Sequence, residues 1–194
     1  MKRAFIIAME DEAAAIKPAL GADDLLIVCG IGKVNAAAAA QRAIDAGADE
    51  ILNAGFCGGF EPTMKVGDCF EVDGAVQYDF DLAELNHTDV GVLNERADAV
   101  IPTSVTGRFP ARRLATGDRF SSDERDHALI LRLECALRDM EGAAIAQVCE
   151  KARVRCRALK CVTNVAGAGA MVGQFNHNRE YAFTCLKNAA ISWI

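Results

Sequence analysis

The stretch "ALKCVTNVAGAGA", residues 158–170, begins as an apolar run and passes through Asn164 into glycine and alanine. A run that is apolar on both faces is typical of a strand covered by helices on each side. In open α/β sheets, ligands bind beyond the carboxyl ends of such strands. The stretch therefore predicts an α/β fold, and it puts an uncharged amide where such folds usually keep their chemistry.

Similar strand-like runs alternate with helix-like segments along the rest of the chain. The expected strands are 4–9, 25–30, 50–56, 69–76, 112–117, 135–140 and 157–164, and the expected helices are 11–20, 34–46, 122–133, 141–152 and 178–194. This alternation implies right-handed crossovers between parallel strands. We therefore expect residues 1–194 to form a single domain, a three-layer α/β/α fold around a twisted, mixed and mostly parallel sheet. Residues 82–110 are weakly patterned, and we expect them to be rich in loops.

Composition narrows the classes of partner. The 194 residues are 52% hydrophobic, which is enough for one sizeable core. The net charge of -6 argues against nucleic acid or an anionic membrane as the main partner, because both favour an excess of lysine and arginine.

The eight cysteines stand mostly in apolar runs without a C-x-x-C pair, which is typical of reduced thiols. The first apolar run is about five residues long, too short for a secretory signal or a membrane span. We expect a cytoplasmic protein that binds a small molecule.

The ends of the expected strands carry glycines, carboxylates, an aromatic ring and an amide. In chain order they are the acids 10–12, "GIGK" (30–33), "GFCGG" (55–59), "GDRF" (117–120), "MEG" (140–142) and Asn164. Because the carboxyl ends of parallel strands meet at one edge of a sheet, these groups should converge. The sequence therefore predicts a small-molecule pocket that contains acid groups.

Several of these segments resemble the motifs of one family in order and in spacing. They are "AMEDE", "GIGKVNAA", "NAGFCGGFEPTMKVGD", "TGDRF", "DMEGAAIAQVC" and the strand that ends in "TN". Together they resemble the 5'-methylthioadenosine/S-adenosylhomocysteine nucleosidases of the purine nucleoside phosphorylase superfamily, almost from end to end. The resemblance implies a partly barrel-like sheet, cleavage of a purine N-ribosidic bond without metal or organic cofactor, and a homodimer in which the partner helps to close the pocket.

Cleavage of that bond builds positive charge on the ribose and negative charge on the leaving base. The site therefore needs anions beside the sugar and a hydrogen-bond donor near N7 of the purine. By the resemblance, Glu12 orients and deprotonates the attacking water, and Glu141 accepts hydrogen bonds from both ribose hydroxyls. From the residues alone, Glu12 can also be part of a solvated helix start, and Glu141 an acidic first-turn residue stabilised by the helix dipole.

Four further residues belong to the expected site. By the resemblance, Phe120 stacks on the purine, Met140 packs under the ribose, and Phe56 and Gly58 line the pocket. From the residues alone, an ordinary core position is favoured for both Phe120 and Met140. Phe56 stands where the family usually has a serine, and no arginine is near it in the sequence. Since a phosphorylase must hold a dianion with arginines or backbone amides, we expect water to be the nucleophile.

Asn164 departs from the resemblance, because the methylthioadenosine nucleosidases carry an aspartic acid that protonates N7 at this position. An asparagine has no acidic proton to deliver. The leaving base can be a 6-oxopurine, as in futalosine hydrolase and the purine nucleoside phosphorylases. The adenine reaction can persist at a reduced rate with a proton delivered through water, or the protein can bind a nucleoside without cleaving it. Asn164 can also be a cap of the following turn.

The remaining polar residues carry weaker signals. Tyr78, Asp79 and Asp118 are expected to be structural. Lys33 in "GIGK" lacks the spacing of a phosphate-binding loop. His87, His127 and His177 have no acid or cysteine at metal-ligand spacing, so we expect loop or surface histidines and no metal site.

Overall fold

The computed structural model describes residues 1–120 and 122–194, which form a mixed α/β fold. The strands are β1 (Arg3–Ile7), β2 (Leu25–Val28), β3 (Glu50–Gly59), β4 (Cys69–Gln77), β5 (Ile101–Pro102), β6 (Ala111–Thr116), β7 (Leu137–Asp139) and β8 (Arg155–Val165). The helices are α1 (Glu10–Ile16), α2 (Lys33–Asp45), α3 (Ala83–Asn86), α4 (Glu124–Arg132), α5 (Gly142–Ala152) and α6 (Met171–Trp193).

All of these strands belong to one mixed sheet. Strands β1–β2, β1–β3, β3–β8, β4–β6 and β6–β7 pair in parallel, whereas β3–β7, β4–β5 and β4–β8 pair antiparallel. Most pairs are parallel, as the strand and helix alternation predicts. The circuit β3, β7, β6, β4 and β8 returns to β3, so this part of the sheet closes into a small barrel, while β1 and β2 extend it as an open edge.

Helices cover the sheet on two sides. Alternate residues of β1 point to different sides, since Phe5 and Ile7 belong to one buried cluster and Ala4 and Ile6 belong to another. The cluster around Phe5 also contains side chains of α1 and α6, and the cluster around Ile6 contains side chains of α2 and α5. A strand with helices on both sides must be apolar at every position, which is the pattern seen in the sequence.

The last helix begins earlier than the pattern predicts. Helix α6 starts at Met171 instead of residue 178. Its first turns contain Gly173, a poor helix former that hides the helical signal. They are held by the side chain of Gln174. Its oxygen accepts from the Val165 N–H at 3.0 Å, and its amide nitrogen donates to the carbonyls of Val165 (3.1 Å) and Gly169 (3.0 Å). As a result, the start of α6 is fixed to the end of β8.

The weakly patterned segment 82–110 has little regular structure, as expected. It contains only the short α3 and the two-residue β5. Buried Glu71 anchors the far end of this segment, because its carboxylate accepts from the Thr106 N–H and hydroxyl and from the Gly107 N–H at 2.6–2.8 Å. The indole N–H of Trp193, at the end of α6, donates to the same carboxylate at 2.8 Å.

All eight cysteines are free thiols, as expected for a reduced protein. Within residues 1–120 and 122–194, none of the helices has the length and apolarity needed to cross a bilayer.

Candidate active site

A cavity of about 430 Å³ lies at the carboxyl ends of the strands. Every residue that the sequence analysis assigned to the site lines it: Glu12, Phe56, Gly58, Phe120, Met140, Glu141 and Asn164. They come from the turns after β1, β6 and β7 and from the last residues of β3 and β8. The fold therefore brings five distant segments together, and a small organic molecule fits a cavity of this size.

Glu12 is buried at 3% exposure in the first turn of α1. One of its oxygens, Oε1, accepts from the Phe56 N–H at 2.7 Å, and the other, Oε2, accepts from the Met9 N–H at 3.0 Å. A Cβ atom at Gly55 would lie 2.6 Å from Oε1, so only glycine lets β3 approach the carboxylate this closely. Glu12 is therefore a fixed, buried acid and differs from the solvated helix start that the acid run alone suggests.

The pKa of Glu12 is raised to about 7. Burial is the main cause, and the charge of Glu141 acts in the same direction. The hydrogen bonds from Phe56 and Met9 and the charge of Lys160 oppose this rise without cancelling it. Since a carboxyl group with this pKa is partly ionised near neutral pH, Glu12 can accept a proton there.

Glu141 lies between β7 and α5 and is 7% exposed. Its backbone caps α5, but its side chain forms no capping hydrogen bond. Instead, Oε1 accepts from the Gly32 N–H at 2.9 Å. Burial, followed by the charge of Asp139, raises the pKa of Glu141 to about 7. The carboxylate is thus directed away from the helix end and into the cavity, contrary to a helix-dipole role.

The "GIGK" turn that holds Glu141 is itself held by a polar network. The Lys33 ammonium pairs with Asp79 at 2.6 Å, and the Lys33 N–H donates to Asp118 Oδ1 at 2.8 Å. The Asp118 N–H donates in turn to Asp79 Oδ2 at 2.9 Å. These contacts agree with the structural role expected for Asp79 and Asp118, and they occupy the Lys33 ammonium with an internal carboxylate.

Asp139, which lines the cavity, and its partner Lys160 were not predicted from the sequence. Lys160 is 2% exposed, and its Nζ lies 2.8 Å from Asp139 Oδ2. Burial lowers the pKa of Lys160, but the charges of Asp139, Glu141 and Glu12 outweigh burial and raise this pKa to about 12. The signal available in the sequence was a lysine inside an otherwise apolar strand, since such a residue requires a buried counter-charge.

Asn164 is 2% exposed at the end of β8. Its Oδ1 accepts from the Thr163 hydroxyl at 2.9 Å. Its Nδ2 is buried and has no hydrogen-bond partner among the described residues. The amide faces Gly58, where a Cβ atom would lie 3.0 Å from Nδ2. The following turn is held by Gln174, so Asn164 does not act as a turn cap, and its buried donor remains available to a ligand.

Two arginines that are distant from the "GFCGG" stretch in the sequence also reach the cavity. Arg138 pairs directly with Gly58 across the β3–β7 ladder, and Arg119 follows β6. Both line the cavity. Arg119 is paired with Asp126 at 2.5 Å. The fold brings both arginines to the cavity from distant segments. The local sequence around Phe56 does not predict this.

Aromatic and apolar side chains form the outer part of the cavity. The rings of Phe56 and Phe175 pack edge to face at 6.2 Å, and those of Phe175 and Phe120 at 5.9 Å. Phe120 is 49% exposed, and Met140 is half-buried. Neither residue is a fully buried core side chain, so both offer apolar surface to the interior of the cavity.

The histidines lie away from these groups. His87 and His177 are exposed, and half-buried His127 packs against the ring of Phe60 at 5.0 Å. Among the residues that the structure describes, His, Cys, Asp and Glu form no group of three or more that could hold a metal ion.

Comparisons with known proteins agree with this architecture. A model of the phosphorylase superfamily matches residues 19–190. The chain is 32% identical over 155 residues to the aminodeoxyfutalosine nucleosidase of Campylobacter jejuni, an alignment that covers 72% of this chain and 67% of that protein. It is 30% identical over 202 residues to the 5'-methylthioadenosine/S-adenosylhomocysteine nucleosidase of Geobacillus thermodenitrificans, covering 86% of this chain and 85% of that protein.

Among solved structures, the 5'-methylthioadenosine/S-adenosylhomocysteine nucleosidase of Colwellia psychrerythraea in complex with adenine superposes with a TM-score of 0.85. The two chains are 26% identical, over 100% of this chain and 96% of that one. The match of the family model, the sequence relatives and the superposition lead to the same assignment. This chain belongs to the phosphorylase superfamily.

Proposed function

We propose that this chain is a purine nucleosidase, which hydrolyses the N-ribosidic bond of a 5'-modified purine nucleoside. One observation carries the proposal: two buried carboxylates, Glu12 and Glu141, share a cavity with the buried amide donor of Asn164. A nucleoside that loses its base needs acceptors beside the sugar and a donor beside the base. The names of the relatives from Campylobacter jejuni and Geobacillus thermodenitrificans support the same activity.

Glu12 is the general base in this proposal. A group that activates water must be partly ionised at the working pH and must be held in a fixed direction. The pKa of about 7 meets the first condition, and the two backbone N–H donors of Met9 and Phe56 meet the second. The water attacks C1' of the ribose, its proton passes to Glu12, and the bond between C1' and the purine nitrogen breaks, so that the purine leaves as an anion and takes up a proton from solvent.

Glu141 binds the ribose. A carboxylate can accept hydrogen bonds from two neighbouring hydroxyl groups, and its negative charge stabilises the positive charge that develops on the sugar ring. The Gly32 N–H fixes the carboxylate at 2.9 Å. Met140, the preceding residue, packs against the ribose from below.

Asn164 and Phe120 bind the leaving base. The unpartnered Nδ2 of Asn164 donates to N7, where it stabilises negative charge on the departing purine without transferring a proton. Gly58 lets the base approach this amide, because even a Cβ atom at that position would lie 3.0 Å from Nδ2. The half-exposed ring of Phe120 stacks on the purine face.

Water is favoured over phosphate as the nucleophile. The ring of Phe56 lines the cavity beside Glu12 and offers no donor to a dianion. The two carboxylates would also repel a phosphate bound next to the ribose. Of the two arginines, Arg119 is paired with Asp126, and Arg138 lies next to Gly58 on the side of the base.

We also propose that the enzyme works as a cytoplasmic homodimer with a three-layer α/β/α arrangement. Three apolar side chains line the cavity and remain exposed in the single chain, with exposures of 51% for Ile31, 49% for Phe120 and 59% for Val172. A second subunit that covers them would close the 5' side of the nucleoside site. The two helix pairs that pack on opposite sides of the sheet support the layered arrangement.

The test is base release from 5'-methylthioadenosine, futalosine and inosine, with and without phosphate, followed by chromatography. We expect free adenine or hypoxanthine together with free sugar, at rates that do not depend on phosphate. A sugar 1-phosphate would show phosphorolysis instead. Saturable binding without any released base would support the second candidate, a nucleoside-binding protein, which the missing acid at Asn164 favours.

The matched variants are Glu12→Gln and Glu10→Gln. Glu10 is the exposed neighbour of Glu12 on the same helix. Glu12→Gln should lower kcat by about 100-fold or more, because general base catalysis contributes at least this factor. Glu10→Gln should retain normal turnover. Normal turnover in Glu12→Gln would refute the assigned base.

A further inference from the structure

Arg138 and Asn164 lie on either side of Gly58 on the same face of the sheet. Gly58 on β3 pairs with Arg138 on β7 and with Asn164 on β8. Side chains of directly paired residues point to the same side of a sheet. Both side chains therefore leave the sheet on the side where a Cβ atom at Gly58 would meet Asn164 Nδ2 at 3.0 Å, Phe60 at 3.7 Å and Met171 at 3.8 Å, and both residues line the cavity.

Arg138 is a buried cation. It is 5% exposed, its guanidinium lies 5.4 Å over the ring of Phe60, and Nη2 is 3.0 Å from the sulfur of Met171. It lines the main cavity and also a neighbouring one of about 280 Å³, so it forms part of the wall between them. Burial lowers its pKa, while Tyr78 and Asp126 raise it. A guanidinium remains protonated in proteins and carries only donors.

Asn164 also presents a donor on this side of the sheet. Its Oδ1 is taken by the Thr163 hydroxyl at 2.9 Å, and the amide nitrogen faces Gly58. In this orientation the amide acceptor is used within the protein. The base end of the cavity therefore offers N–H donors from two different strands.

We propose that Arg138 is a specificity-determining residue that, together with Asn164, selects a 6-oxopurine as the leaving base. The proposal rests on the nucleosidase function above and names its base. A 6-oxopurine presents two acceptors on one edge, N7 and O6, whereas adenine presents the acceptor N7 beside a 6-amino donor. Two donors complement the first edge, and with adenine one of them faces another N–H group.

The same arrangement favours departure of a 6-oxopurine. Negative charge that develops on the leaving base spreads onto O6, where a buried guanidinium stabilises it. Arg138 thereby supplies part of the stabilisation that the relatives named in the sequence analysis obtain from an acidic proton. It touches the base directly and transfers no proton.

The experiment compares 5'-methylthioinosine with 5'-methylthioadenosine, which differ only at the purine 6-position. We expect the native protein to cleave the inosine compound with a kcat/KM at least about tenfold higher. Arg138→Met, which keeps a long apolar side chain without the charge, should bring the ratio close to one. Arg138→Lys should retain a preference, because it keeps a cationic donor.

Arg112→Met is the matched control. Arg112 also lies on a strand with its guanidinium 5.4 Å over a phenylalanine ring, that of Phe70, but it does not line the cavity. Its removal should leave the ratio unchanged. A ratio near one in the native protein, or an unchanged ratio in a folded Arg138→Met variant, would overturn the inference. If Arg138→Met does not fold, the inference is tested by the kcat/KM ratios of the native protein and of Arg138→Lys. A ratio near one in either protein would overturn it.

Failure of the proposed function can be distinguished from failure of this inference. If the native protein releases neither base, the nucleosidase proposal fails, and calorimetric binding of free hypoxanthine and adenine then tests Arg138 alone. Hypoxanthine bound at least about tenfold more tightly, with the difference lost in Arg138→Met, supports the role of Arg138. Equal affinities contradict it.

Discussion

The two ends of the cavity contrast in their hydrogen-bonding character. The end near Glu12 and Glu141 collects buried carboxylates, and Lys160 pairs with Asp139 among them. The end near Gly58 presents donors from Asn164 and Arg138. The first end lies at the start of α1 and α5, and the second lies at the ends of β3, β7 and β8.

This difference matches the charges that form when a nucleoside loses its base. Burial raises the pKa of both Glu12 and Glu141 to about 7, which shows that their charged forms are only partly compensated by the protein. A developing positive charge on the ribose would supply the missing compensation. At the other end, the N–H donors of Asn164 and Arg138 would stabilise negative charge on the base. In the proposed binding mode, the cavity is therefore polarised along the direction in which the bond breaks.

The largest expected effect comes from the carboxylate end. Glu141→Gln removes the charge but keeps the shape, and we expect kcat/KM to fall by about 100-fold or more, as for the loss of a group that stabilises transition-state charge. Steady-state kinetics with 5'-methylthioinosine measures this. The control is Glu180→Gln, which changes an exposed glutamate on α6 and should have no effect. Equal activities in the two variants would show that Glu141 does not bind the sugar.

A substitution at the donor end is expected to raise activity instead of lowering it. Asn164→Asp restores an acidic proton, and burial favours the protonated form of the new carboxyl group. We expect kcat/KM for 5'-methylthioadenosine to rise by about tenfold or more, since general acid catalysis contributes at least this much. The preference for 5'-methylthioinosine should decrease at the same time. Slower adenine release from this variant would argue against the position of N7 next to residue 164.

A smaller effect is expected where the donor end meets the base. Gly58→Ala puts a Cβ atom 3.0 Å from Asn164 Nδ2, so the amide must shift. We expect KM to rise by about tenfold, which corresponds to the loss of one hydrogen bond. The control is Gly173→Ala in α6, where an added Cβ atom has no neighbour within 4 Å. An unchanged KM in Gly58→Ala would place the base elsewhere in the cavity.

The smallest expected effect concerns stability at the carboxylate end. Between the ordinary pKa of 4.5 and about 7, the unfolded chain releases the proton of Glu12 while the folded chain holds it. Stability therefore falls as pH rises through this window. Glu12→Gln lacks this titration, so its Tm relative to the native protein should be higher at pH 8 than at pH 5 by about 2 °C or more. Thermal melts at both values measure the difference, and a constant difference would contradict the raised pKa.

The α/β class of the fold and the strand-end residues of the cavity could be predicted from the sequence because both follow from local patterns. Runs that are apolar at every position predicted strands with helices on both sides, and the residues after those strands identified Glu12, Glu141 and Asn164. Their meeting in one cavity follows from the general rule on strand ends. Their roles came from the resemblance to a family and remain predictions.

The features that the sequence did not predict depend on contacts between segments that are distant in the sequence. The antiparallel β3–β7 ladder brings Arg138 next to Gly58, and no local pattern indicates that pairing. In the sequence, Lys160 only interrupts an apolar strand. Its ion pair with Asp139 becomes visible only in the folded structure. The early start of α6 was hidden by Gly173, and the contacts of Gln174 that compensate for it are tertiary.

The most direct test of the polarised cavity is a crystal structure of the Glu12→Gln variant with intact 5'-methylthioinosine. We predict that the ribose hydroxyls lie within hydrogen-bond distance of Glu141, that Asn164 donates to N7, and that Arg138 donates to O6. A nucleoside bound in the reverse orientation, or with its base away from Gly58, would contradict the account.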